Sequence, residues 1–486
     1  MHLSKLIEKG TIKLRQGWTD VEISGLSADS RNIRPGDLFA AIPGAATDGR
    51  RFIDEAIARG ASAILAPPDT HLDASHKKIP LVIEANPRRA LAKISARFFN
   101  TQPKTTVAIT GTNGKTSVAH ITQQLWNSLG KKAASLGTLG VCGPCNHNLS
   151  KLTTPDPVEL HRLLLNLSSK GVSHLALEAS SHGLDQYRLD GVDVQAAVFT
   201  NFSRDHLDYH KTMAAYLNAK LRLFRELVRD GGTAITYSGA PEATIIEAIA
   251  KRRRQNYVSY GSVSADISIV EKRQTDEGWS ATIQAFGKSY PVMLGFTGKF
   301  QIHNLLAAIA LVHSTGTPLE NIIPKIETLT GVPGRMQCAG KSIGGGTVYV
   351  DYAHTPDALK NALLALRPNI TNKLILIFGC GGDRDIGKRA EMGAVAHQFA
   401  DRVIITDDNP RTEDAGLIRR SILKGCANAC EIGDRREAIE NTIAQLECGD
   451  GLLIAGKGHE TGQIIGNDVV PFNDFEIARA ALGGAA

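Results

Sequence analysis

No run in the 486 residues approaches the ~18 consecutive apolar residues needed to cross a bilayer. The first segment, Met1 to Trp18, also lacks the short apolar core and small-residue cleavage site of a secretory leader. A cytoplasmic protein with no membrane attachment is expected. Cysteine is scarce and odd in number, seven in all, which argues against a disulfide framework. Cys142-Gly-Pro-Cys145 has the spacing of a redox dithiol. Its flanks, Gly137, Gly140 and Asn146-His147-Asn148, read as a loop or hairpin rather than a strand entering a helix. Cys426 and Cys430, spaced i,i+4 on an expected helix, have no clear His or Cys partner and read as structural. Strong charge imbalance is missing too. A formal net charge of +6 suits anionic small molecules but is not the concentrated patch of a nucleic-acid binder. The basic run Lys251-Arg252-Arg253-Arg254 follows an Ala/Ile-rich helical pattern and reads as a solvated helix end. Internal repeats and low-complexity tracts are absent.

What is present is the mix of a soluble globular protein, 42% hydrophobic and 21% charged, in a chain too long for one ordinary domain. Short β-branched or apolar runs alternate with longer helical patterns, which predicts an α/β fold with largely parallel sheets. The central runs are Thr106–Thr110, His174–Glu178, Ala196–Asn201 and Thr233–Tyr237, with helices over Ser117–Leu129 and Val158–Lys170. Alternation over residues 267–294 predicts antiparallel strands forming a small sheet appended to this unit. Gly331-Val-Pro-Gly334-Arg335 marks a joint. Beyond it Val348–Asp351, Leu374–Phe378, Val403–Thr406 and Leu452–Ala455 predict a nucleotide-fold-like unit. Residues 1 to about 100 carry strands and helices of their own, and Thr101–Lys104 reads as a linker. Three domains follow, 1–100, 101–331 and 332–486.

Polar residues gather just where the predicted strands end, the place where open parallel sheets bind ligands. The central clusters are Gly111-Thr112-Asn113-Gly114-Lys115-Thr116, Glu178-Ala-Ser180-Ser181-His182, and Asn201-Phe-Ser-Arg204-Asp205-His206-Leu-Asp208. The C-terminal ones are Gly379-Cys-Gly-Gly-Asp383-Arg384, Asp407-Asp408-Asn409-Pro410-Arg411, and Gly456-Lys457-Gly458-His459-Glu460. Two domain edges facing one cleft are expected. The first cluster is a short phosphate loop: glycines let backbone N–H groups turn inward, Lys115 adds a point charge, and Thr116 can ligate Mg2+. With that loop on the neighbouring strand, Glu178 and His206 gain weight as Mg2+ ligands, while Asp205 and Asp208 are better suited to orienting neighbours. No catalytic triad or nucleophile elbow is visible.

Together with Ala219-Lys220 and Asp351-Tyr-Ala-His354, these motifs resemble the Mur ligase family, in the family's order and over nearly the whole chain. The resemblance implies three domains: an N-terminal α/β domain for a uridine nucleotide, a central P-loop-type ATPase domain, and a C-terminal Rossmann-like domain for an amino acid. It implies a soluble monomer acting on ATP, UDP-N-acetylmuramoyl-dipeptide and an amino acid, with Mg2+ as cofactor. Asp29-Ser30-Arg31, Gly36-Asp37-Leu-Phe39 and Asp48-Gly49 resemble the uridine-side loops. Thr153, Thr154, Ser180, Gln186 and Arg188 match positions that hold the muramoyl-peptide. Lys115, Thr116, Glu178 and His206 match the phosphate and magnesium positions, and Asn304, Arg335 and Asp351 those around adenosine and the phosphates. Lys220 matches a lysine carried as a CO2-derived carbamate, although the residues alone suggest a surface lysine on a helix. Gln301, Ala28 and the Cys142–Cys145 pair depart from the family pattern.

The amino acid expected is meso-diaminopimelate rather than lysine, from which it differs by a carboxylate at the far end. A selective site places a guanidinium there, since a bidentate Arg–carboxylate pair is strong and an unpaired buried Arg rejects the analogue lacking the carboxylate. Arg411 and Arg384 supply guanidiniums, Glu460 is placed to meet the distal ammonium, and Asp408, Asn409, Pro410 and Gly456 complete the set. Asp408-Asn409-Pro410 is an Asx-Pro turn in either case. The expected chemistry is attack of a γ-carboxylate on the ATP γ-phosphorus, followed by attack of the amine on the acyl phosphate. A lysine-adding ligase, a folylpolyglutamate-synthase-like ligase and a nucleotide-gated switch are the alternatives.

Overall fold

The computed structural model describes residues 1–7, 13–14, 20–44, 47–76, 78–144, 152–275, 278–294 and 299–483. Apolar runs too short for helices became strands, and each group of strands found its own sheet. In the N-terminal unit β1 (Lys13–Leu14), β2 (Gly25–Ser27), β3 (Asp37–Ala40), β4 (Ala63–Ala66) and β5 (Leu81–Ile83) pair in the order β1-β5-β4-β3-β2. All pairs but the antiparallel β1–β5 edge are parallel.

The central sheet contains β6 (Thr105–Thr110), β7 (Ala133–Gly137), β8 (Gly140–Cys142), β9 (His174–Glu178), β10 (Val194–Phe199), β11 (Val228–Tyr237), β12 (Asn256–Gly261), β13 (Ile267–Thr275), β14 (Gly278–Ala285) and β15 (Lys288–Leu294). Their order is β15-β14-β13-β12-β11-β10-β6-β9-β7-β8. The antiparallel strands β13–β15 form, but not as an appended sheet. Tyr260 and Gly261 of β12 pair in parallel with Ile267 and Ser268 of β13, so the meander extends the central sheet along its free edge. Strand β6 has β9 on one side and β10 on the other, both parallel, which opens a crevice beyond its carboxyl end. Apolar clusters cover both faces, one of them built largely on the helix Lys299–Ser314, whose residues from Leu305 to Val312 are fully buried. The Leu305–Val312 stretch is apolar on every side, as suits a helix inside a core.

The C-terminal unit repeats the plan with β16 (Gln337–Lys341), β17 (Thr347–Asp351), β18 (Leu374–Phe378), β19 (Arg402–Ile405), β20 (Cys430–Glu431) and β21 (Gly451–Ala455), ordered β16-β17-β21-β18-β19-β20. Only β16 runs antiparallel, and a hairpin of β22 (Gly462–Ile465) and β23 (Asp468–Pro471) follows. The resulting architecture is α/β with mostly parallel sheets, as the alternating pattern predicts. Cys426 and Cys430 do not share a helix. The helix Ala415–Leu423 stops before them, capped by Lys424, leaving Cys426 buried in the turn and Cys430 exposed on β20. Cys142 ends β8 in a hairpin with β7, whereas Cys145 lies outside the described residues. Lys251 and Arg252 are exposed at the end of the helix Ala243–Arg252, a solvated terminus. No helix among the described residues is long and apolar enough to cross a membrane.

Candidate active site

Strand β6 ends at Thr110 and a helix begins at Lys115, leaving Gly111–Gly114 to make the turn. Gly114 caps that helix at φ +84°, and a Cβ there would come 2.5 Å from Asn304 Oδ1. Only glycine fits both demands. The end of β10 holds the loop in place: Thr200 Oγ1 donates to Asn113 O at 2.6 Å, and Asn201 Oδ1 accepts from Asn113 N at 2.8 Å. Thr112 Oγ1 donates to Ser203 O at 3.1 Å. Lys115 Nζ folds back onto Gly111 O and Thr112 O. Lys220 is only 1% exposed, contrary to the surface position its helix pattern suggests, and donates to the same Gly111 oxygen at 2.6 Å. Its ammonium also lies 4.3 Å from the Tyr216 ring centroid. Burial, reinforced by the neighbouring Lys115 charge, pushes Lys220 well below the ordinary lysine range.

Glu178, at the end of β9, is buried and accepts from Thr138 N at 2.9 Å and Thr138 Oγ1 at 3.1 Å. His206 stands at φ +54° between Asp205, 3.4 Å from its Nε2, and the His182 ring. Burial keeps this imidazole neutral, with Asp205 opposing. The predicted muramoyl-peptide residues form one connected network beside Glu178. Thr154 Oγ1 donates to Glu178 O and lies 3.0 Å from Ser180 Oγ, and Thr153 Oγ1 lies 3.3 Å from Thr138 Oγ1. Arg188 spans from Thr154 O at 2.7 Å to Gln186 Oε1 at 2.7 Å. Ser30 is not part of it. It donates to Glu55 within the N-terminal unit and, among the described residues, shares no hydrogen bond with this network.

A cavity of about 560 Å³ opens above the loop, walled by the central and C-terminal units together. Its lining includes Lys115, Thr116, Glu178, His303, Asn304, Arg335, Asp351 and Asp357. Arg335 Nη2 reaches across to Thr116 Oγ1 at 3.0 Å while its guanidinium lies over the Tyr352 ring. Asn113 Nδ2 donates to Asp357 Oδ2 at 3.1 Å. Asp351 accepts from the Met336 and Ala353 N–H groups, yet burial raises its carboxyl above the usual range.

The third sheet presents a different chemistry. Arg411, at φ +53° after the Asp408-Asn409-Pro410 turn, donates through Nη1 to Gly382 O at 2.7 Å. Burial lowers its pKa and the Arg384 charge lowers it further, against the pull of the Asp408, Glu460 and Asp383 carboxylates. Pro410 closes the turn, its carbonyl accepting from Glu413 N. Gly456 leaves β21 at φ +114°, where a Cβ would sit 2.6 Å from Asp408 Oδ2. Glu460 Oε2 accepts from Asn409 Nδ2 at 2.9 Å. None of these residues lines the 560 Å³ cavity. The central unit reaches toward them through Arg204, which donates to Asp385, the residue after Arg384.

Family models match in three consecutive blocks: "Mur ligase family, catalytic domain" over residues 22–99, "Mur ligase middle domain" over 109–312, and "Mur ligase, glutamate ligase domain" over 334–458. A UDP-N-acetylmuramoyl-L-alanyl-D-glutamate–2,6-diaminopimelate ligase from Bradyrhizobium diazoefficiens is 50% identical over 95% of both chains. The chain belongs to the Mur ligase family. A ligase of the same name from Chelativorans is 46% identical over 95% of each chain. A solved structure of an enzyme of that name superposes with a TM-score of 0.68 at 34% identity, covering 95% of both chains.

The C-terminal unit adds further residues to this Mur ligase site. Asp357 and His354 approach the phosphate loop and Asp205 from the C-terminal unit, His354 Nε2 standing 4.0 Å from Asp205 Oδ2. Lys388 holds the His354 carbonyl at 2.8 Å. Asp357 and Lys388 belong to no motif read from the chain, whereas His354 closes the Asp351-Tyr-Ala-His354 string. The Mur ligase cavity also takes a wall from Tyr237 and His303, whose rings stack 4.8 Å apart.

Proposed function

We propose that this Mur ligase joins meso-diaminopimelate to the D-glutamate γ-carboxylate of UDP-N-acetylmuramoyl-L-alanyl-D-glutamate, with hydrolysis of ATP to ADP and phosphate. The observation that carries the proposal is the pairing of two unlike strand-end clusters. One is the Gly111–Thr116 loop with the half-buried Lys115 and the buried Lys220, the other Arg411 with the charges of Arg384 and Glu460 acting on it. Ion pairs and hydrogen bonds join the central and C-terminal units that carry these clusters, which supports the reading. A partly buried Arg411 guanidinium favours a bidentate carboxylate, and Glu460 offers a charge partner for an ammonium. Diaminopimelate carries both at its far end, whereas lysine lacks the carboxylate.

In the proposed division of labour, residues 1–100 hold the uridine nucleotide with Ser30 on that side. Thr153, Thr154, Ser180, Gln186 and Arg188 hold the muramoyl-peptide, with Arg188 and the hydroxyls facing its polar groups. Residues 101–331 bind ATP through Gly111–Thr116 and Asn304, and residues 332–486 contribute Arg335 and Asp351. Lys115 neutralises charge on the transferring phosphoryl group, and the oriented loop N–H groups fix its position. The γ-carboxylate displaces ADP from the γ-phosphorus to form an acyl phosphate. The diaminopimelate amine then attacks the acyl carbon, expelling phosphate as the C–N bond forms.

The donor set fits Mg2+. Among the described residues no three His, Cys, Asp or Glu side chains converge as a metal cage. Mg2+ instead favours one or two carboxylates combined with hydroxyl and phosphate oxygens. Thr116, Glu178, His206 and a carbamate on Lys220 would hold it. Bound there, it would neutralise phosphate oxygens. Lys220 suits the modification because burial favours the neutral amine, the form that takes up CO2, and a carbamate would turn a repulsive Lys115–Lys220 neighbourhood into an attractive one.

Phosphate release is expected only when ATP, the nucleotide-dipeptide and diaminopimelate are all supplied. Release with ATP alone at the full rate would favour a nucleotide-gated switch, and equal rates with lysine would favour a lysine-adding ligase. Arg411→Ala should raise the KM for diaminopimelate by at least 30-fold and leave that for ATP within about twofold. An unchanged diaminopimelate KM would remove the guanidinium from the argument for selectivity.

A further inference from the structure

Lys457 sits in the Gly456–Glu460 string but has no part in the chemistry above. Its side chain is 0% exposed, among the largest fully buried side chains of the molecule. A lysine is almost never buried to that degree without partners for its charge and its protons. Here Nζ donates to Asn409 Oδ1 at 2.9 Å, to Glu460 Oε2 at 2.9 Å and to Gly462 O at 2.8 Å. An ammonium has three protons, and each has an acceptor.

The acceptors belong to three different pieces of chain: the turn after β19, the loop after β21, and the first residue of the β22 hairpin. Asn409 closes the figure, since its Nδ2 donates to the same Glu460 oxygen at 2.9 Å and its Oδ1 also accepts from Ile464 N at 2.9 Å. The hairpin in turn fixes Arg411, whose backbone N–H donates to Ile464 O at 3.0 Å. Glu460 therefore receives two donors on Oε2, one of them charged. A carboxylate held by one oxygen in this way has a fixed plane, and Oε1 becomes the oxygen free to meet a cation. A buried ion pair contributes little to net stability and is better understood as fixing geometry.

We infer that Lys457 is a positioning residue for selection of the amine substrate: its buried ammonium, by clamping Glu460 Oε2 and Asn409 Oδ1, aims the Glu460 carboxylate at the remote ammonium of diaminopimelate. The inference rests on the proposal that Glu460 receives that ammonium. Lys457 itself touches no substrate. Methionine in its place fills similar volume but leaves Glu460 to the Asn409 amide alone.

The test compares meso-diaminopimelate with 2-aminopimelate, which keeps the reacting amine and the far carboxylate but lacks the far ammonium. In wild type, kcat/KM should favour diaminopimelate. Glu460→Gln and Lys457→Met should each shrink that preference at least tenfold, through KM for diaminopimelate, with the KM for ATP within twofold. The double variant should lose no more than Glu460→Gln alone. A preference unchanged in Glu460→Gln would remove the parent proposal and this one with it. A preference lost in Glu460→Gln but kept in Lys457→Met would overturn only the role of Lys457. A purely structural lysine would depress both substrates alike. If Lys457→Met does not fold, Lys457→Gln, neutral but still able to donate, takes its place. Failure of both variants to fold, or an equal loss for both substrates, would overturn the inference.

Discussion

Lys115 and Lys220 bring two ammonium groups to one carbonyl, Gly111 O, in a buried corner without a carboxylate bonded to either. Like charges so placed in a medium of low dielectric repel strongly, and the arrangement is tolerable only if one is neutral or inverted. The direction of the Lys220 shift favours the neutral amine. Replacing Lys220 with alanine should therefore cost at least 100-fold in kcat, and added short carboxylic acids should restore part of it by supplying an anion in the vacated space. A wild-type rate without any additive would rule out a role for the side chain. Such a lysine reads from the chain as a solvated helix residue, because a helical period states which face a residue occupies and not what that face meets. Glu178 is easier to find, because a carboxylate ending a short apolar strand can be picked out from the chain itself.

Elements rather than residues govern how firmly the site is held. Strand β21 delivers Gly456 at a left-handed φ against Asp408, so Gly456→Ala brings both backbone strain and a clash 2.6 Å from a carboxylate oxygen. A destabilisation of about 1–3 kcal/mol is expected, read from the urea midpoint, together with weaker diaminopimelate use. The helix Pro157–Ser169 supplies a pH-sensitive contact away from the chemistry. His161 is buried with Nε2 3.2 Å from Asp190 O, and burial pushes its pKa down to about 4, the carbonyl contact opposing. The fold thus prefers the neutral ring. Its contribution is complete above the unfolded value of about 6.5 and fades as pH falls toward 4, a loss of about 2 kcal/mol by pH 5. In His161→Gln the decline in stability between pH 7.5 and 5 should be smaller by about that amount, measured by urea unfolding. An identical decline would place the pH sensitivity elsewhere.

At the scale of the whole molecule, polar ties join the three units. Arg89, on the helix Pro87–Phe99, meets Asp190 at 2.9 Å, and the same carboxylate receives Arg222 at the end of the Lys220 helix. On the other side Arg204 spans to Asp385 and to Glu391, the latter at 2.7 Å. The partly exposed Arg204 pairs contribute only about 0.2–1 kcal/mol each, enough to bias a domain arrangement without welding it. Arg204→Ala is expected to enlarge the radius of gyration in small-angle scattering and to raise the KM for diaminopimelate by several-fold. An unaltered scattering profile would show that these contacts do not hold the units together.

Much of this protein was already determined along the chain: an α/β architecture, the Gly111–Gly114 turn between a strand and a helix, and polar clusters at six strand ends. Hydrophobic alternation and glycine placement act locally, so they survive without knowledge of the fold. The extension of the central sheet by β13–β15 was decided only by edge pairing with β12, and the break between Cys426 and Cys430 by where a helix could end. Burial of Lys220 and Lys457, and the meeting of Asn113 with Asp357 or Arg335 with Thr116, needed tertiary structure. Residues hundreds of positions apart become neighbours through packing, and whether a charged side chain faces water or a ring of acceptors is a property of that packing alone.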